Sequence, residues 1–183
     1  MESSSRSQTE PESRFAVVFE VGRVRTFEVF YRREMPALVA FASALSGSAC
    51  AEDIAQEAML AAYRRWDVVS GFEAPAAWVR RVCANRSVST LRRRAVEARA
   101  LLRLGTRRGD APVLAEEHER FWAEVRRLPH RQAQAIALYY IYDLAVTEVA
   151  TTLGCAEGTV KAHLARGRAA LARQFERQAV EGS

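Results

Sequence analysis

The stretch RLGTRRGDAP, from Arg103 to Pro112, constrains the fold of this chain more than any other. It carries two glycines and a proline and has no apolar period, so it reads as a linker. On both sides of it apolar residues recur at three- and four-residue steps, and strand alternation persists nowhere in those regions. The expected fold is therefore all-α, with two small helical domains joined by a flexible linker. By number, these are an N-terminal tail at 1–24, a first domain at 25–94, the linker at 95–114, a second domain at 115–177 and a tail at 178–183.

Within the first domain, Thr26 is placed to cap a helix whose apolar face is Phe27, Phe30, Tyr31, Leu38, Ala42 and Leu45. Pro36 interrupts that helix and Gly47 stops it. The preceding RFAVVFEVG is apolar and leaves strand and helix both open. Ser48 is placed to cap a second helix with Glu52 and Asp53 in its first turn, where acids suit the helix dipole. After the loop DVVSGFEAP, Pro75 suits the first turn of a third helix. The second domain reads as four helices: Glu116–Arg127, Pro129 to about Tyr140, Val146–Leu153, and Glu157 to about Arg177.

Its last two helices, in TEVATTLGCAEGTVKAHL, have the helix-turn-helix arrangement, with Gly154 at the turn and a small Ala150 where helices cross closely. On a helical wheel Val160, Leu164, Gly167 and Leu171 form a core stripe. Thr159, Ala162 and Arg166 fall on the opposite face, with Lys161 on its flank. A hydroxyl, a methyl and a guanidinium on one exposed face suit a major groove: arginine forks onto guanine, alanine meets a thymine methyl, and Thr159 and Lys161 reach phosphates. His163 lies beside the core stripe, where packing competes with base reading. Ala145 and Ala156 stand where capping side chains are expected, which removes a bond worth about 1 kcal/mol from each helix start.

The first domain carries a different chemistry. Asp53, Gln56 and Glu57 share one stripe of their helix, an acid-amide-acid patch that is either solvated surface or a docking site for a basic helix. Trp78, Val82 and Asn85 share a face of the third helix, beside Arg81 and Arg92. Rings and an amide next to a cationic ridge suit unpaired nucleic acid, because bases stack on rings while arginines follow phosphates. Charge is uneven: twelve arginines between Arg64 and Arg108 face three acids, a local +9 within a chain of net +5. Lys161 is the only lysine.

Three well-separated cysteines (Cys50, Cys83, Cys155) argue against a disulfide framework or zinc site. The polar N-terminus lacks a signal-peptide core, and the longest apolar run is too short to span a bilayer, so a cytoplasmic protein without membrane insertion is expected. No phosphate-binding glycine loop, metal-spaced cluster or nucleophile-base set is present, and His118, His130 and His163 are isolated, so an enzyme is not expected and no cofactor is called for.

AEDIAQEAML, YRRW, GFEAPAAWVRRVCANRSVSTLRRR and the run RLPHRQAQAIALYYIYDLAVTEVATTLGCAEGTVKAHLARGRAAL occur in this order over roughly Thr26 to Phe175. In this the chain resembles the extracytoplasmic-function (ECF) group of bacterial sigma-70 factors, which keep only the second and fourth sigma domains. The resemblance implies a promoter-specificity subunit that binds core RNA polymerase and assists promoter melting. It implies that Asp53, Gln56 and Glu57 dock on the polymerase clamp helices. Trp78, Arg81, Asn85 and Arg92 then serve the opened minus-ten strand, with Trp66 to Glu73 forming a base pocket. Thr159, Lys161, Ala162, His163 and Arg166 read the minus-thirty-five duplex. The implied partners are core polymerase, promoter DNA as duplex and single strand, and an anti-sigma factor of the kind common in the family. Ser89, where many members have an acid, and Gly167, where alanine is usual, depart from the pattern. About twenty extended linker residues reach at most about 70 Å, enough for both domains to touch one promoter. A free-standing helix-turn-helix regulator of duplex DNA is the alternative.

Overall fold

The structure, a computed structural model, describes the backbone of residues 11–103 and 116–181 and the side chains of residues 26–90, 93 and 118–180. Eight α-helices and one short 3-10 turn make up the described residues: α1 Pro11–Ser46, the 3-10 turn Ser48–Cys50, α2 Ala51–Arg64, α3 Trp66–Val69, α4 Pro75–Arg103, α5 Glu116–Arg127, α6 His130–Ile141, α7 Val146–Leu153 and α8 Glu157–Glu181.

The undecided RFAVVFEVG segment is helical and belongs to α1, which passes through Thr26 rather than starting there. Thr26 does not cap. Its hydroxyl accepts the indole N–H of Trp66 at 3.0 Å, tying α1 to α3. Pro36 lies inside α1 without ending it. Both Pro36 and Arg32, whose carbonyl the proline leaves without its N–H donor, are exposed, so water can take the freed acceptor.

Gly47 ends α1 at a φ of +84°, a region that L side chains avoid. The expected Ser48 cap is not formed. Ser48 to Cys50 wind into the 3-10 turn, and α2 begins with no side-chain capping bond, its first turn holding Glu52 and Asp53. Pro75 opens α4 as its position suggests. Residues 95–103, placed in the linker from sequence, continue α4 without a break. The remainder of that segment, 104–114, lies outside the described residues.

α1, α2 and α4 form one bundle around Leu38, Phe41, Ile54, Met59, Val79 and Cys83, all 3% exposed or less. α5 to α8 form the other around Val125, Ile136, Leu138, Val149 and Val160, all fully buried. The two share a seam, with α1 against α5 and α6, and α4 against α7. The buried residues of both form one continuous hydrophobic cluster.

Candidate nucleic-acid interface

The C-terminal pair is built around its turn. α7 ends on Gly154, which is left-handed at φ 64°, ψ 47° and whose N–H returns to the Ala150 carbonyl. A glycine there terminates the helix without a Cβ penalty and sets the entry angle of α8. Val160 and Leu164 are buried, as are Gly167 and Leu171, so the wheel reading of α8 holds along two turns and beyond. Thr159, Lys161 and Arg166 are exposed, and Ala162 and His163 half-buried.

The capping deficit at α7 is smaller than its alanine suggests. Ala145 has no acceptor to offer, but the Glu148 carboxylate accepts the Ala145 backbone N–H at 2.9 Å. Half of a capping box is thereby kept.

His163 sits between packing and surface. Its Nδ1 is buried without a hydrogen-bond partner among the described residues. Desolvation first, then the charges of Arg166, Arg131 and His130, hold its imidazole below the usual range. A cationic surface thus surrounds a ring that stays neutral, leaving the fixed arginines to carry the positive charge.

In the first bundle, Asp53, Gln56 and Glu57 are all exposed on α2, while Ile54, Ala55 and Ala58 behind them are buried. Beside the patch, Leu60 is 45% exposed, and the three polar residues share a groove with Phe27, Tyr31, Met59 and Tyr63. Glu57 also pairs with Arg86 of α4, so the patch is held to the helix that carries Trp78 and Asn85. An apolar floor with acidic walls can take a basic amphipathic helix.

On α4, Asn85 is exposed and Trp78 half-buried. The Trp78 ring lies 6.5 Å from Phe72, which is itself 40% exposed in the connection after α3. Val68, within α3 itself, adds another exposed apolar side chain, at 52%. Phe72 and Val68 were not singled out from sequence; the signal was two apolar residues in a glycine-containing loop that no core stripe required. Trp66, counted with this loop, belongs to the core instead. It is buried, with Phe27 and Phe30 at ring distances of 5.2 and 4.9 Å. Arg81 is exposed, but its guanidinium lies over the α7–α8 turn: a Cβ built on Gly154 would sit 2.2 Å from Arg81 Nη2. The Arg92 side chain lies outside the described residues.

Residues 30–96 match the family described as Sigma-70 region 2, and residues 118–171 match Sigma-70, region 4. The chain is 33% identical over 141 residues to the ECF RNA polymerase sigma factor EcfG of Rhodopseudomonas palustris, covering 75% of this chain and 78% of that one. The chain belongs to the ECF sigma factors. It is also 32% identical over 123 residues to the ECF sigma factor SigM of Mycobacterium tuberculosis, a match that takes in 67% of this chain and 63% of SigM. Among solved structures, the sigma factor RpoE of Bartonella quintana, crystallised with the anti-sigma factor NepR, superposes with a TM-score of 0.68 at 25% identity. That likeness covers 83% of this ECF sigma factor and 98% of the other chain. Among the described residues, no helix is long and apolar enough to cross a membrane.

Proposed function

We propose that this ECF sigma factor binds core RNA polymerase in the cytoplasm, directs it to a set of promoters and helps open them, performing no bond chemistry itself. The observation that carries the reading is the pairing, in one chain, of an exposed acid-amide-acid patch on α2 with a cationic helix-turn-helix face on α8. A duplex-binding regulator has no use for the first.

In this reading the bundle at 25–94 grips polymerase and unpaired strand, and the one at 115–177 lies on duplex. Asp53, Gln56 and Glu57, with the Leu60 floor, receive a basic helix of the polymerase. Trp78, Arg81, Asn85 and Arg92 hold the opened minus-ten strand: the Trp78 and Phe72 rings offer stacking surfaces, and the Asn85 amide a hydrogen-bonding edge. Thr159, Lys161, Ala162, His163 and Arg166 face the minus-thirty-five major groove. Capturing unstacked bases repays part of an opening cost of a few kcal/mol. An anti-sigma partner would act by covering the same two surfaces.

The test is transcription in vitro from a genomic promoter library, with core polymerase alone and with this protein added. New asymmetric start sites are expected. Start sites unchanged by a folded protein and a competent core, together with unaided protection of a palindrome, would instead establish a free-standing regulator.

A further inference from the structure

The start of α4 and the helix α7 flank a cleft of about 570 Å³, within the roughly 300–1,000 Å³ of small-molecule sites. Hydrogen-bond donors gather in one part of it and carboxylates in another, and they do not satisfy each other. We propose that this cleft binds a free guanine nucleotide, with its phosphate at the start of α4 beside Arg81 and its base on the Trp78 ring.

The donors come from both helices. Arg80 Nε and Thr152 Oγ1 are buried in the walls with no hydrogen-bond partner among the described residues, and Thr152 as a whole is 1% exposed. A buried donor without an acceptor costs about 1–3 kcal/mol, which an oxygen-rich ligand would remove. Arg81 is exposed and pairs with no acid among the described residues. Its guanidinium is held at the Gly154 turn, where an added Cβ would come within 2.2 Å of Nη2. Ala76 and Ala77, in the first turn of α4, also line the cleft. The first N–H groups of a helix have no intrahelical acceptor, and neither Ala74 nor Pro75 has a side chain to supply one. A helix start, a guanidinium and a hydroxyl in one place suit a phosphate.

The carboxylates narrow the ligand further. Glu73 and Glu148 line the same cleft. Glu148 already accepts the Ala145 N–H, whereas Glu73 is exposed and pairs with no cation among the described residues. These charges repel a bare phosphate but favour a ligand that also brings N–H donors. Guanine, alone among the common nucleobases, presents two adjacent donors, N1–H and N2–H, on its Watson–Crick edge, and a carboxylate accepts both. The Trp78 ring, half-buried and 6.5 Å from Phe72, offers a plane on which the base can stack. A polynucleotide fits less well than a free nucleotide, because its flanking phosphates would meet the same two carboxylates. On the function proposed above, Trp78 and Arg81 also serve the opened strand, so an occupied cleft withholds both from it.

The experiment is calorimetric titration of the full chain with GMP, AMP, inorganic phosphate and a single-stranded trinucleotide carrying a central guanine. GMP should saturate a single site and bind at least about tenfold tighter than the other three. Glu73→Gln should weaken GMP about tenfold and leave AMP unchanged, while Arg81→Ala should weaken both nucleotides. Both residues are exposed, and circular dichroism checks that the variants fold. Four results would each overturn the site: no GMP binding at millimolar concentration, equal affinity for GMP and AMP, equal or tighter binding of the trinucleotide, or indifference to both substitutions. The titration contains neither polymerase nor promoter. Its failure therefore leaves the proposed function standing, and failure of the transcription test leaves the nucleotide site standing.

Discussion

Gly167 is a test of how closely α8 is seated. It lies mid-helix and buried, where glycine costs about 1 kcal/mol relative to alanine. By propensity alone, Gly167→Ala should stabilise the protein. The tertiary structure opposes this, because an added Cβ would meet Ile136 Cδ1 at 2.6 Å. A normal carbon–carbon contact is about 3.5–4.0 Å, so the methyl must retreat by roughly 1 Å within a residue that is fully buried. Overpacking of this kind costs about 1–3 kcal/mol. The net expectation is a loss of about 1 kcal/mol, or a Tm lower by about 2–4 °C for a chain of this length. Removing the offending methyl reverses the sign. Ile136→Val costs about 0.5–1.5 kcal/mol by itself, but in that background the next atom, Cγ1, is 3.4 Å away. Gly167→Ala should then stabilise by about 0.5–1 kcal/mol. The four proteins form a double-mutant cycle with a coupling of about 1–2 kcal/mol, read as urea midpoints at constant slope by far-UV circular dichroism. Stabilisation by Gly167→Ala in both backgrounds would refute the close crossing of α6 and α8.

Arg166→Ala should weaken duplex binding by about 1–3 kcal/mol, while Asn85→Ala should spare duplex affinity and slow strand opening in a permanganate assay; equal effects of both on opening would break the division of labour. His163 titrates below its ordinary value in the folded chain because of desolvation and neighbouring cations. The unfolded chain then binds a proton more readily, so stability should fall as pH drops through about 6.5, and His163→Gln should flatten that slope in pH-dependent melts. Burial pushes the Cys83 thiol up to about 12 and Cys50 is also buried, while Cys155 is half-buried. A thiol reagent at pH 8 should accordingly modify Cys155 first and reach Cys83 only in denaturant, as mass spectrometry of the labelled peptides would show.

Local rules served well where a single helix decided the outcome. The α8 stripe of Val160, Leu164, Gly167 and Leu171 is buried as a wheel drawn from sequence requires, and Pro75 and Gly154 stand at helix ends as their backbone chemistry dictates. They served less well where a residue had two possible uses. Thr26 reads as a cap but holds the Trp66 indole, because the apolar residues before it extend α1 back to Pro11. Trp66 reads as part of a pocket but fills the space between α1 and α3, since burying so large a ring with Phe27 and Phe30 outweighs exposing it. The alanine at the start of α7 reads as a lost cap, and Glu148 supplies the other half of the motif.

By itself, then, the sequence determined an all-helical chain, its helix-turn-helix, the acidic patch of Asp53, Gln56 and Glu57, and its membership in the ECF sigma factors. The helices, the turn and the patch depend on periods of three and four residues and on turn chemistry, which neighbours in the chain can express alone, while membership rests on stretches of sequence shared with that family. Only the tertiary structure decided that the two bundles dock, that Arg80 lies between Glu34 and Tyr142 instead of in solvent, and that Arg81 rests on the Gly154 turn. Arg80 and Glu34 are 46 residues apart, and Gln134 and Ala84 are 50 apart. No local period encodes such a pairing, because it depends on which helix faces meet once both cores have formed.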